Sequence, residues 1–251
     1  MNKFNKFSFI AFILFISCSQ REGEQKTGLL SYLVKISDTE DAGVKDVLGF
    51  YGGYCEYSIG RGFETGKSDT KYFELKVSES KGFEKYSDHL GFVANNIAYR
   101  FFRNLTEEER KEYTHIKPVI IYPENKETEF EISTWELNIV DQKMAFVDSI
   151  VDIIKQKKFD ELGPLLNDST LVSYDKNELI ENLKKYDSQF GNVTDEGFRI
   201  FGYGFRPLND SGDDILFIAG AIMRDIQANE FTVAVDPYSE KNEILLLQYE
   251  M

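Results

Sequence analysis

Few residues of this chain could do chemistry. Cys18 and Cys55 are its cysteines, and His89 and His115 its histidines. A thiolate–imidazole pair needs the base within hydrogen-bond reach of the sulfur, and neither histidine stands in a local signature with Cys55. Cys55 falls in an aromatic, strand-like stretch, where a small buried hydrophobe is the default and apolar burial keeps a thiol inert. Gly66-Lys67-Ser68 has the ending of a phosphate-binding loop. However, Arg61 stands where the loop's first glycine belongs, and a strand follows where a helix must open. A hairpin tip fits better. A zinc site would have to be built from carboxylates. Asn209-Asp210-Ser211-Gly212-Asp213-Asp214 is rich in oxygen ligands but lacks the alternating acids and distal Glu of a calcium loop, so it reads as a polar hairpin turn. Neither a cofactor nor a metal is expected.

Tyr51, Tyr54, Tyr57 and Phe63 are interleaved with glycines. They could offer a glycan or a peptide a stacking surface, but a twisted strand packed under a helix is the preferred reading. The 251 residues carry 29 Lys+Arg against 43 Asp+Glu, a formal charge of −14. Such a chain lacks the basic face that releases counterions from phosphates, so nucleic acid is excluded as a partner. At 42% hydrophobic and 14% aromatic it is not a disordered chain either. Its length suits one large or two small domains, and two cysteines cannot build a disulfide framework.

The chain begins with a short basic stretch, Lys3 and Lys6, followed by an apolar run from Phe7 to Ile16 that stops at Ser17-Cys18-Ser19. About ten residues fall short of the roughly 20 that span a bilayer as a helix and have the length of a secretory h-region. Cleavage after these small residues, or a membrane-buried helix that is never cut, would each fit the bare pattern. Leu14-Phe15-Ile16-Ser17-Cys18 resembles the lipobox of bacterial lipoproteins, with Phe15 where that family prefers Leu. The resemblance implies a signal peptide over 1–17, cleavage before Cys18, and acylation of Cys18 as the membrane anchor. Removing Lys3 and Lys6 makes the mature body two charges more acidic than −14. Residues 18–27 are polar and lack apolar periodicity, so they read as a tether. Ser19 points to the outer rather than the inner membrane, because the inner-membrane retention signal of enteric bacteria is an Asp there.

Two modules are expected behind the tether, giving an α+β protein. The first, residues 28–135, has Leu29, Leu30, Leu33 and Val34 as one or two helical turns, followed by a solvated Asp38-Thr39-Glu40-Asp41. A hairpin comes next, then an amphipathic helix through Phe83, Tyr86, Leu90, Val93, Ile97, Phe101 and Leu105, and a second hairpin over 116–133. Thr106 with Glu109 predicts a capping box. The second module, 138–251, opens with a wide-faced helix from Ile139. A short helix over 159–166 follows, then a helix capped at Asp175 and stopped at Gly191. The remainder reads as strands over 198–205, 215–223, 231–235 and 244–249.

Three helices before a four-stranded meander, with Lys158-Phe159-Asp160-Glu161-Leu162 and Phe190-Gly191 at their junctions, resemble the nuclear-transport-factor-two-like (cystatin-like) family. That resemblance implies a cone-shaped domain that can enclose a pocket. Its members include isomerases, dehydratases and many non-enzymatic binding domains, so fold alone does not select a function. Its enzymes place a His, Asp or Tyr inside the cone. Residues 138–251 contain no His, which leaves Tyr203, alternating with Phe201 and Phe205, and Asp225, which reads better as a strand end. The expectation is a lipid-anchored envelope protein that binds an envelope protein or a small ligand. The alternative is an isomerase- or hydrolase-like enzyme using a pocket in the cone.

Overall fold

The computed structural model describes residues 18–21, 36–62, 70–83, 89–121, 126–168, 175–208 and 213–249. The expected signal peptide, Phe63, Gly66-Lys67-Ser68 and the 209–212 turn lie outside them. The protein is α+β and divides into two compact units, Met1–Lys85 with Arg100–Thr134 and Tyr86–Tyr99 with Trp135–Met251. The second unit thus takes residues 86–99 from the middle of the chain, where the sequence suggested an uninterrupted 138–251.

In the first unit, β1 (Cys18–Arg21) lies antiparallel to β2 (Tyr54–Gly62), with Cys18 opposite Tyr57. The expected tether over 18–27 therefore begins as an edge strand. Between them in sequence is α1 (Asp38–Tyr51), which opens on Asp38-Thr39-Glu40-Asp41 where the sequence pattern suggests solvated chain. Ser37 and Glu40 close a reciprocal capping box, worth about 1 kcal/mol. Glu40 also accepts the Tyr113 hydroxyl at 2.5 Å, and Val44, Val47 and Tyr51 turn inward.

β2 pairs antiparallel with β3 (Thr70–Ser78), and α2 (Leu90–Phe102) follows. α3 (Glu107–Glu112) carries its predicted Thr106–Glu109 box. β4 (His115–Ile121) then runs parallel to β3, so both expected hairpins share one sheet. β5 (Glu127–Glu129) and β6 (Ile132–Ser133) both pair with β4. Their ladder breaks opposite Pro118, which has no N–H to give, although its carbonyl still accepts from Phe130 N at 2.9 Å.

The second unit is built on α4 (Thr134–Lys155), which buries Leu137, Val140, Met144, Val147, Val151 and Ile154 along one stripe. A 3-10 helix, Phe159–Leu165, precedes α5 (Lys176–Phe190), whose N-cap Asp175 accepts from the backbone of Asn177 and Glu178. The strands β7 (Val193–Leu208), β8 (Asp213–Arg224), β9 (Asn229–Val235) and β10 (Leu246–Tyr249) form an antiparallel sheet in the order β10-β9-β8-β7.

A register shift between Ile200 and Gly202 changes the phase of β7. Phe201 is the extra residue, so Tyr203 shares the inner face with Ile200 and Phe205, not with Phe201. The open edge of β7 is covered by residues of α2. Asn95 and Asn96 donate to the carbonyls of Tyr203 (3.0 Å) and Ile200 (2.9 Å). Phe92 comes so close that a Cβ on Gly202 would stand 2.6 Å from its ring. Side-chain amides thus satisfy an edge that would otherwise invite another strand.

Candidate functional site

The inner face of β7 and the first turn of α4 bring together the groups that the second unit could use. Tyr203, opposite Ile218, is 0% exposed. Its buried hydroxyl interacts with the Glu136 carboxylate. Burial first, and then the charge of Glu136, push its phenol well above the ordinary range. Burial likewise raises the Glu136 carboxyl, with Tyr203 acting in the opposite direction. Tyr99 stands nearby and donates to Asp141 Oδ1 at 3.1 Å. The result is a sealed acid–phenol pair whose phenol meets no solvent.

Beside Glu136 the surface changes character. Trp135, 62% exposed, and Tyr238, 56% exposed, lie with ring centroids 6.1 Å apart and planes 26° from parallel. The turn that carries Tyr238 is fixed from below. The Asp236 carboxylate accepts from the backbone N–H groups of Tyr238 (2.8 Å) and Ser239 (3.1 Å), and Lys143 on α4 donates to the Ser239 carbonyl at 2.6 Å. The Tyr238 hydroxyl donates to Asp214 Oδ2 at 3.4 Å. Its phenol is raised by desolvation and by the charges of Asp214, Asp236 and Glu136. The exposed Tyr238 ring thus lies in the field of three carboxylates, of which Asp214 and Asp236 are already hydrogen-bonded to Tyr238 and its turn.

The sequence reading did not find Trp135, Glu136 or Tyr238. One signal was present for the first: the only tryptophan of the chain falls outside the apolar stripe of α4. Asp225 lies just beyond β8, where its carboxylate accepts from the backbone N (2.7 Å) and side-chain amide (3.1 Å) of Asn192. These bonds lower its pKa, and its setting is that of a turn clamp.

Another inward residue was missed. Arg224 continues the alternation of Leu216, Ile218, Gly220 and Ile222, and its side chain is 0% exposed. It donates to Asp187 (2.6 Å), the Tyr249 hydroxyl (2.6 Å), Asn229 Oδ1 (2.7 Å) and the Gly191 carbonyl (2.8 Å). Lys157 reaches the second Asp187 oxygen. Every partner is engaged, so this network ties the sheet to α5 and offers nothing to a ligand.

The outer face of the first sheet carries a cavity of 320 Å³ lined by Glu56, Ser58, Glu74, Lys76, Glu127 and Glu129. Its charges already meet one another. Ser58 donates to Glu74 at 3.3 Å, Lys76 pairs with Glu127 at 2.8 Å, and Lys117 lies 3.8 Å from Glu129. Burial raises the Glu74 carboxyl more than its hydrogen bond with Ser58 lowers it. No group of three or more His, Cys, Asp and Glu that could hold a metal occurs among the described residues.

Cys55 faces the core of the first unit at 0% exposure, beside Tyr57 (8%) and below Tyr51 (6%) in accessibility. His115 is on the opposite face of that sheet, bonded to the Thr114 hydroxyl at 3.0 Å, and His89 is exposed and belongs to the other unit. Burial, and secondarily Glu56, push the Cys55 thiol up from 9.0 to about 12. The native thiol is therefore expected to resist alkylation at pH 8 and to react once the chain is unfolded in denaturant. Because the folded pKa exceeds the unfolded one, the associated stability is complete below about pH 8.5 and is lost as pH rises toward 12. Fast labelling of the native protein would contradict this placement.

Comparison with protein-family models, curated proteins and solved structures yields no match. No helix among the described residues is long and apolar enough to cross a membrane.

Proposed function

We propose that this chain is a lipid-anchored protein of the bacterial cell envelope, without chemistry of its own, that binds a partner through the Trp135–Tyr238 face. One observation carries the binding part. Two large aromatic rings, Trp135 on α4 and Tyr238 on a turn closed by Asp236, stack on one another while more than half exposed to solvent. The basic start, short apolar run and Ser17-Cys18 support the anchor. On this reading acylated Cys18 opens β1, so the lipid joins the edge of the first sheet with no spacer before it. Helices preceding an antiparallel four-stranded sheet support reading the second unit as a nuclear-transport-factor-two-like cone. An outer-membrane location rests on Ser19 alone.

The enzyme reading draws on the Tyr203–Glu136 pair. A phenol at 0% exposure reaches a substrate only if the fold opens, which weighs against that reading. The test is intact-mass analysis of the native polypeptide together with capture from its own envelope. The expected mature chain begins at Cys18 and carries acyl mass, and Cys18→Ala releases it from the membrane fraction. An unacylated chain starting at Met1 would overturn the anchor. Equal capture of envelope proteins by wild type and Trp135→Ala would overturn the binding face.

A further inference from the structure

We propose that the second half of β2 accepts an extended segment of a partner protein as an added strand, with basic side chains at alternate positions. This surface lies in the first unit and does not depend on the Trp135–Tyr238 face. β3 pairs with β2 along its whole length, from Tyr54 to Gly62, whereas β1 pairs only with Tyr54–Tyr57. The other edge of Ser58–Gly62 therefore has no neighbouring strand among the described residues. Alternate residues of an antiparallel strand turn both N–H and C=O away from the strand they are paired with, so about two or three of these residues offer theirs outward. The contrast with the second sheet is direct, because there the amides of Asn95 and Asn96 close the edge of β7. An incoming strand is what a row of unpaired main-chain groups receives.

A second observation, independent of the backbone, points the same way. Ser58, Gly60 and Gly62 are the small outward positions of this stretch, and the β3 residues opposite them lean across β2 toward the open edge. Ser58 donates to Glu74 Oε1 at 3.3 Å, and the Thr70 hydroxyl donates to the Gly62 carbonyl at 3.3 Å. The Tyr72 ring lies over Gly60 so closely that a Cβ there would collide with it. Side chains of an added strand alternate between the same two faces. Those opposite Ser58 and Gly60 thus project beside the Glu74 carboxylate and the Tyr72 ring.

Charge fixes the chemistry of those side chains. The cavity on this face is lined by the carboxylates of Glu56, Glu74, Glu127 and Glu129 and by the ammonium of Lys76. Lys76 is held by Glu127, and Lys117 by Glu129 at 3.8 Å, Glu131 at 3.7 Å and the Tyr72 ring. Both cations are therefore drawn toward β5 and the residues after it, and Glu56 and Glu74 remain as the acids nearest the open edge. Burial raises the Glu74 carboxyl, and a cation alongside it offsets that cost. An acidic segment meets like charge here, and a second copy paired antiparallel brings its own Glu56 and Glu74 to the same face. A neutral segment gains the ladder alone.

The experiment titrates the full-length acylated protein, in zwitterionic detergent, with a short labelled peptide of alternating arginine and valine, followed by anisotropy. Saturable binding is expected, and replacing the arginines by glutamates should weaken it about tenfold or more. An added strand pairs along one side only, so N-methylation of one alternate set of peptide amides should cost about tenfold, and of the other set little. Amide hydrogen exchange over residues 58–62 should slow on binding, while exchange over Asn229–Val235 should not change. Glu56→Gln and Glu74→Gln should each weaken binding several-fold, and Glu230→Gln, exposed on the second unit, should leave it unchanged. Circular dichroism checks that each variant folds. Absence of binding, equal binding of the arginine and glutamate peptides, indifference to N-methylation, or unchanged exchange over 58–62 overturns the inference. So does dimerisation of the protein that slows exchange over 58–62 without peptide, which would assign the edge to a second copy.

Discussion

Arg224→Ala is expected to destabilise the second unit by about 3–5 kcal/mol, the range for breaking one side of a buried ion pair. The guanidinium is 0% exposed and Asp187 only 3%. Removing it takes the donor from four acceptors at once: Asp187 on α5, Asn229 on β9, Tyr249 on β10 and the Gly191 carbonyl after α5. Lys157 and the Tyr249 hydroxyl (3.2 Å) remain on Asp187, but neither replaces the guanidinium's charge at the buried carboxylate or serves Asn229 and the Gly191 carbonyl. Urea unfolding followed by far-UV circular dichroism measures the loss. The double variant Arg224→Met with Asp187→Leu separates two explanations. If the cost is that of an unpaired buried charge, removing both charges recovers much of it, since apolar replacements of buried pairs are often neutral. A single-variant loss below about 1 kcal/mol would show that water reaches the network and solvates it.

Arg224 also shows how far period-two reading extends. The alternation Leu216, Ile218, Gly220, Ile222 is plain in the sequence, and one more step lands on Arg224. A charge on the apolar face at a strand end marks Arg224, whereas the family resemblance selects His, Asp or Tyr and so points to the neighbouring Asp225. Other features were equally legible. Ser37-x-x-Glu40 is a capping box of the same form as Thr106-x-x-Glu109, and Val44, Val47 and Tyr51 follow at helical spacing. Neither the bulge at Phe201 nor the parallel pairing of β3 with β4 could be read this way. Both depend on what lies alongside the strand, and apolar alternation is the same in either register or direction. Trp135 and Tyr238 come together from positions 103 residues apart, so no local pattern joins them.

Phe73→Ala should be as damaging to the first unit, at about 3–5 kcal/mol. Phe73 is 0% exposed at the centre of an aromatic cluster. Its ring centroid lies 4.2 Å from Phe101, 5.7 Å from Tyr57 in a stacked arrangement, and 5.8 Å from Tyr113 edge to face. Collapse into the vacated space is obstructed on two sides. Gly43 on α1 already packs so tightly on Phe101 that a Cβ there would stand 2.8 Å from the Phe101 carbonyl, which leaves that ring little room to move. Tyr113 is tethered by its hydroxyl to Glu40. The cavity therefore stays open, and its cost adds to the lost transfer energy. Phe73→Leu, which refills most of the volume, should cost about 1–2 kcal/mol. Cys55 gives a local readout that separates core loosening from global unfolding, because it lies on the same inner face of the sheet as Phe73 and is fully buried. In Phe73→Ala its labelling at pH 8 should accelerate beyond what the measured loss of global stability alone sets, whereas in Phe73→Leu it should accelerate only by the smaller factor that its stability loss sets. A stability loss with no change in labelling would mean that the cluster relaxes around the smaller side chain and that the obstruction by Gly43 and Tyr113 is not what sets the cost.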